Sequence, residues 1–129
     1  MLVLLDTTIL IDCLRGRPVT DRVLALGESG DIPCTTAINV EEIVRGLRPA
    51  EEKAAAKLFR GLFALPLGEE EGLRAGRWRR DFARRGVTLS QADCLIAAAA
   101  ASASATLATG NPRDFPMREV RVEHWPVGR

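Results

Sequence analysis

The sequence predicts an α/β protein, a three-layer α/β/α sandwich built on a parallel sheet of about five strands. Two observations lead there. Short apolar runs of strand length alternate with longer segments of helical pattern along the whole chain. The first run, Leu2-Val3-Leu4-Leu5, is apolar without a break, as a strand buried on both faces must be.

That first strand ends at Asp6. A short helical pattern over residues 9–14 follows and is broken by Gly16 and Pro18. Pro18 suits a first helical turn because its φ is already fixed, so a second helix runs from about residue 18 to residue 28. Gly30 and Asp31 turn the chain into a strand at residues 32–35, and Thr36 can cap a helix through residue 47. Another helix covers 51 to about 62, and a third strand is expected at 64–67. Glu69, Glu70 and Glu71 then open an arginine-rich helix to about residue 85, at the end where the helix dipole favours negative charge. Ser90 opens a helix that continues through the alanines to about residue 104. A fourth strand covers 106–109 and a last short one 120–123.

With 129 residues the chain has the size of one domain with one core, so residues 1–129 are read as a single unit. Its 47% hydrophobic and 27% charged residues are an ordinary globular balance and argue against long disordered regions. Cys13, Cys34 and Cys94 are an odd number without paired spacing, set in apolar runs; they fit a reducing, cytoplasmic setting. His124 is the single histidine, which leaves too few ligands for a Cys/His zinc site. The apolar opening carries Asp6 and Asp12 and has no basic leader, so it does not read as a signal peptide. The alanine-rich stretch 97–108 is too short and too weakly apolar to span a bilayer, and no membrane segment is expected.

The net charge of +1 argues against a nucleic-acid partner only on average. All but two of the 18 Lys and Arg residues are arginine, the side chain that grips phosphate through a planar fork of donors. Arg74, Arg77, Arg80 and Arg84 recur at roughly helical spacing and could form a phosphate-binding face; a solvated helix surface explains them as well.

Acids at strand ends matter because ligands of open parallel sheets sit beyond the carboxyl ends of the strands. Asp6 holds such a position, but it also suits the cap of the following helix. Asp93 follows Ser90 by three residues, a capping-box-like pattern that needs no catalytic role. Asp114 lies in Asn111-Pro112-Arg113-Asp114, where a turn welcomes the same residues. Glu41 and Glu42 share a helix with the stripe Val40, Ile43, Val44 and Leu47, and a helical wheel does not choose between them.

The combination carries more than its parts. Leu5-Asp6-Thr7-Thr8-Ile9-Leu10-Ile11-Asp12, the segment from Thr35 through Glu42 to Gly46, Ala92-Asp93-Cys94-Leu95-Ile96-Ala97-Ala98, and Leu107 through Asp114 to Phe115 stand in order along the chain. Together they resemble the PIN-domain nucleases, and among them the VapC-type toxins of bacterial toxin–antitoxin pairs, over nearly the whole chain. The family's pattern of a glutamate, an aliphatic residue, two free positions and a glycine selects Glu42 over Glu41. Cys94 after the third acid and the short tail after Trp125 are small departures that remove no site residue.

The resemblance implies a catalytic set of Asp6, Glu42, Asp93 and Asp114. Carboxylates crowded within a few ångströms repel one another and call for a cation. Oxygen-only ligands favour Mg²⁺, with Mn²⁺ as a substitute. Asp6 and Asp93 are implied as direct metal ligands, and Glu42 and Asp114 as completing the pocket through water or a second ion. Thr7, Thr109 and Asn111 could position substrate or water, and turn and cap roles serve them equally. The implied activity is hydrolysis of RNA, transfer or ribosomal, by metal-activated water. The implied partners are a small antitoxin and a second copy of the chain; exposed apolar residues of 9–14 and 40–47 could contribute to the latter contact, and a monomeric core explains them as well. A DNA nuclease of the same fold and a non-catalytic binding or scaffold domain are the rivals. A phosphate-transfer enzyme would want an acid where Thr8 stands, and a nucleotide-binding domain a glycine-rich loop that is absent.

Overall fold

The unbroken apolar run is the central strand of the sheet. In the computed structural model, which describes residues 1–128, β1 (Leu2–Leu5) is paired on one side with β2 (Ile32–Thr35) and on the other with β4 (Thr106–Thr109). β3 (Phe63–Ala64) lies outside β2 and β5 (Arg121–His124) outside β4, so the order is β3-β2-β1-β4-β5, parallel throughout. Helices pack on both faces of this strand, so it meets water on neither side, which is why polar residues are missing from it.

Six helices cover the faces: α1 (Thr7–Leu14), α2 (Val19–Glu28), α3 (Ala37–Arg45), α4 (Glu52–Arg60), α5 (Glu69–Arg84) and α6 (Gln91–Ser102). Alternate residues of the central strands feed separate cores, as the two-residue period of a strand requires. Leu4 and Leu107 pack with Trp78 of α5 and with Ile96 and the alanines of α6. Val3, Leu5 and Ala108 pack with Ile9 and Leu10 of α1, Val19 and Leu26 of α2, and Trp125. Ala97, Ala98, Ala99 and Ala100 are buried, and their small size lets α6 lie close to the sheet and to α5. Leu4, Leu5, Ile9, Leu10, Ile96 and Leu107 are fully buried, and truncating one of them to alanine costs about 2–5 kcal/mol.

Several boundaries differ from the sequence expectation, each for a local reason. β3 has two residues rather than the four expected at 64–67. The Leu65 amide still donates to the Thr35 carbonyl at 2.8 Å, but Pro66 has no N–H with which to continue the ladder. α1 begins at Thr7, two residues early, because the Asp6 carboxylate accepts from the Thr7 amide and starts the helix there. α3 stops at Arg45, and a 3-10 turn, Pro49–Glu51, leads into α4. α6 ends at Ser102, since Ser104 takes a φ of 54° that no helix continues. β5 is shifted by one residue and pairs Arg121–His124 with Thr106–Thr109.

The chain runs outward from β1 to β2 and β3, then crosses back to β4 and β5 on the other side. The strand order therefore reverses between β1 and β4, and the crevice outside their carboxyl ends is where such sheets take ligands. Asp6 and Thr109 stand at those two ends.

Candidate active site

Asp6 leaves β1 in extended conformation and uses both carboxylate oxygens. Oδ1 accepts from the Thr7 amide at 2.8 Å, and Oδ2 accepts from the Thr109 hydroxyl at 2.7 Å across the β1–β4 junction. The side chain is only 6% exposed. Burial raises its pKa above the ordinary value; the bonds from Thr109 and Thr7 oppose that, and the charges of Glu42 and Asp114 add to it. Asp6 is thus both the cap of α1 and a member of an acidic group, so the two sequence readings coexist.

Glu42 and Glu41 diverge in space. Glu41 is exposed and faces Arg45 at 3.6 Å, one helical turn away. Glu42 turns toward the end of β1, where its Oε1 accepts from the Thr7 hydroxyl at 2.8 Å. The same hydroxyl accepts from the Asn39 amide nitrogen at 3.0 Å, and Asn39 Oδ1 accepts from the Thr36 hydroxyl at 2.7 Å. Thr7 is therefore fixed as a donor to Glu42 by a buried relay from Thr36 through Asn39. Asn39 is the member of this network that the sequence pattern does not flag. Its only local signal is its place three residues after Thr36, where it completes a capping box usually closed by Glu or Gln.

Asp93 sits in the first turn of α6, and its amide donates to Ser90 Oγ at 3.1 Å, as the capping pattern predicts. Its carboxyl is nevertheless raised, first by burial; a bond from Ser90 lowers it, and the charges of Asp114, Asp6 and Glu42 raise it further. Asp114 ends the 3-10 turn Pro112–Asp114 and is exposed. Thr109 links this turn to Asp6, because its hydroxyl also accepts from the Asn111 amide at 3.0 Å. The Asn111 side chain is exposed at the rim.

The four predicted acids stand on four separate elements, near enough for the charges of Glu42 and Asp114 to act on both Asp6 and Asp93. No basic side chain neutralises them: among the described residues, none of the ion pairs includes Asp6, Glu42, Asp93 or Asp114. They do not form the tight cluster expected from the sequence, however. Among the described residues no three Asp, Glu, His or Cys side chains stand close enough to hold a metal ion among them. Hydroxyls occupy oxygens of Asp6 and Glu42 instead, and the carboxylates remain neighbours without closing into a cage. This donor set suits a hard cation that keeps several waters and takes one or two carboxylates, as Mg²⁺ does; it does not suit an ion that needs a complete protein shell.

The loop carrying Asp114 is pinned from behind. Gly110 donates its amide to the Thr8 hydroxyl at 3.2 Å, and a Cβ there would fall 2.6 Å from Val127 Cγ2. Val127 is held in turn because the Gly128 amide donates to Asp12 at 2.7 Å, with Arg17 beside the same carboxylate at 3.6 Å. Asp12 is buried and works in this strap, away from the acidic group.

A parallel sheet in this order, with acids gathered at the reversal point, is the architecture of a PIN domain. The chain belongs to the PIN-domain family, whose pattern matches residues 3–121. Within that family its relatives are VapC proteins. Ribonuclease VapC19 of Mycobacterium tuberculosis is 33% identical over 115 residues, covering 88% of this chain and 92% of that protein. Ribonuclease VapC10 of the same organism is 30% identical over 119 residues, covering 92% and 89%. Among solved structures, VapBC2 from Rickettsia felis, bound to a promoter DNA fragment, matches with a TM-score of 0.83 at 20% identity, over 97% of this chain and 99% of that one. DNA-bound VapBC from Salmonella typhimurium matches with a TM-score of 0.82 at 25% identity, over 97% and 99%.

Proposed function

We propose that the chain is a divalent-cation-dependent endoribonuclease and the toxin of a toxin–antitoxin pair. The observation that carries the reading is that one residue, Thr7, binds two acids at the end of β1, its amide donating to Asp6 and its hydroxyl to Glu42, while among the described residues no ion pair includes either of them. Like charges gathered without a counter-ion in a protein cost stability, and a function that needs a cation explains why they are kept.

In this reading Asp6 and Asp93 hold Mg²⁺, or Mn²⁺ in its place, with Glu42 and Asp114 completing the site through water. The bound ion supplies an acidified water and a charge that offsets the developing negative charge on the phosphate. Thr109 and Thr7 hold Asp6 and Glu42 in place, each donating a short hydrogen bond. Glu42, held by one oxygen, has the other to accept a proton from the attacking water. Asn111 stands at the rim beside the phosphate. The substrate is a structured RNA with an exposed single-stranded loop, of the transfer or ribosomal class, because splayed bases are where a small protein can read RNA.

The VapC relatives and the VapBC complexes support the assignment of a small antitoxin as partner. A homodimer belongs to the same proposal. Its support on the surface is narrower than the sequence suggested: Ile9 and Leu10 are core residues, whereas Val44 of α3 is 47% exposed. Three free cysteines, Cys13, Cys34 and Cys94, fit action in the cytoplasm, and among the described residues no helix is long and apolar enough to cross a membrane.

The test incubates purified protein with total cellular RNA, with and without Mg²⁺, and maps the new ends; duplex and single-stranded DNA serve as parallel substrates. Metal-dependent RNA ends that disappear with chelator are expected. Cleavage of DNA alone, or cleavage indifferent to chelator, overturns the proposal.

A further inference from the structure

Four acids repel a polyanion, so a substrate phosphate chain needs cations placed where they can hold it beside the site without being consumed by neighbouring carboxylates. The arginine-rich helix α5 does not offer that. Arg74 and Arg77 line a cavity shared with Glu70, Asp81 and Glu119, while Arg80 and Arg84 lie 3.3 and 3.9 Å from Asp81. The repeat of arginines seen in the sequence is, in space, a helix surface of mixed charge, and the cavity that Arg74 and Arg77 line holds none of the four acids of the site.

Two other cavities each join one acid of the site to an arginine. The first, of about 170 Å³, is lined by Glu42 together with Arg15 at the end of α1. Glu51, the other acid there, already accepts from the Arg48 amide at 2.9 Å. The second, of about 550 Å³, is lined by Asp114 with Asn111, Arg113 and His124. Both arginines are exposed, and among the described residues neither takes part in an ion pair.

The sheet order separates the two cavities. Glu42 comes from α3, which follows β2 on one flank of β1, and Asp114 follows β4 on the other flank. His124 ends β5 in register with Thr109, so it borders the Asp114 side at the level of the strand ends. Asp6, at the end of β1, stands between them.

We infer that a single-stranded RNA backbone crosses the carboxylate site from Arg15 to Arg113, each arginine taking a phosphate that flanks the one to be cut, with His124 and Asn111 bordering the Arg113 side. The inference rests on the nuclease reading and adds to it the path of the substrate. Guanidinium groups suit the task because they keep their charge at any working pH and grip phosphate through paired donors.

The experiment measures kcat and KM for cleavage of one defined RNA by the wild type and by Arg15→Ala, Arg113→Ala, the double variant and Arg77→Ala. Binding of the same labelled RNA is measured by anisotropy in an Asp6→Asn background with Mg²⁺ present, so that it does not depend on turnover. Arg15→Ala and Arg113→Ala are each expected to weaken binding by roughly three- to tenfold, to leave kcat within about twofold, and to lower the salt dependence by about one unit of slope. Arg77→Ala is expected to match the wild type, and Arg113→Lys to recover part of the loss. If the wild type cleaves RNA while the Arg15 and Arg113 variants keep its KM and binding, or if Arg77→Ala weakens binding as much as they do, the path is wrong and the nuclease reading stands. If the wild type neither cleaves nor binds RNA, both fall.

Discussion

Asp6 and Glu71 are both 6% exposed, both lie at the start of a helix, and their carboxyls are perturbed in opposite directions. Glu71 accepts from the Gly68 amide at 2.7 Å, and that bond, followed by one from Ser102, lowers its pKa; Arg74 helps. Asp6 also accepts two hydrogen bonds, but burial outweighs them and its nearest charges, Glu42 and Asp114, are of its own sign. Burial is thus the leading cause at Asp6 and a minor one at Glu71, where the Gly68 amide leads. The neighbouring charges widen the difference: those near Asp6 are of its own sign, whereas Arg74 helps to complete the charge of Glu71.

The largest test of that contrast is Asp6→Asn. The amide oxygen can still accept a hydrogen bond and the repulsion within the acidic group falls, so the fold should hold with an unchanged or raised melting temperature. RNA cleavage should drop on the order of a hundredfold or more with a direct metal contact gone. Initial rates and thermal melts on one preparation decide it; full activity in the variant removes Asp6 from the chemistry.

Next in size is Thr109→Val. The Thr109 side chain is fully buried and donates to Asp6 at 2.7 Å, so the variant leaves a buried carboxylate oxygen without its donor. The expected cost is about 1–3 kcal/mol of stability, with Asp6 pushed further up and the pH profile of cleavage displaced to higher pH. A loss of stability with an unmoved pH profile would make Thr109 a packing residue only.

How much of this was legible in the sequence depends on the kind of signal. The central strands were, because burial on both faces forces an unbroken apolar run at Leu2–Leu5. The third strand was expected, but its bounds were not legible, since a two-residue edge strand ended by Pro66 leaves too little pattern. The acids were ambiguous one by one: Asp6 and Asp93 really are cap and first-turn residues, and periodicity could not separate Glu41 from Glu42. Their meeting depends on strand order, a property of contacts between distant segments. The relay through Asn39 was out of reach for the same reason, because its partner Thr7 lies 32 residues away.

Glu71→Ala is the counterpart on the completed side of the comparison. It removes the cap on the Gly68 amide and should cost about 1 kcal/mol, with cleavage per folded molecule unchanged. Chemical denaturation alongside single-turnover cleavage checks both halves. A selective loss of cleavage would mean that α5 reaches the site in a way its position does not suggest.

The smallest effect is in the pH dependence of stability, and its sign follows from the same contrast. The folded state holds protons on Asp6 and Asp93 more tightly than the unfolded chain does, whose value is near 3.8. Their contribution to stability therefore falls as pH rises from that value through the raised folded ones, and the full penalty is present above them. Glu71 runs the other way: its contribution is complete above its unfolded value of 4.5 and is lost as pH falls through the lowered folded one. A cation that binds the ionised acids relieves only the first penalty, so Mg²⁺ should raise the melting temperature more at pH 7 than near the unfolded value of 3.8. That difference should shrink in Asp93→Asn and persist in Glu71→Ala. A Mg²⁺ effect that ignores pH, or survives in a variant lacking both Asp6 and Asp93, would show the ion binding elsewhere on the surface.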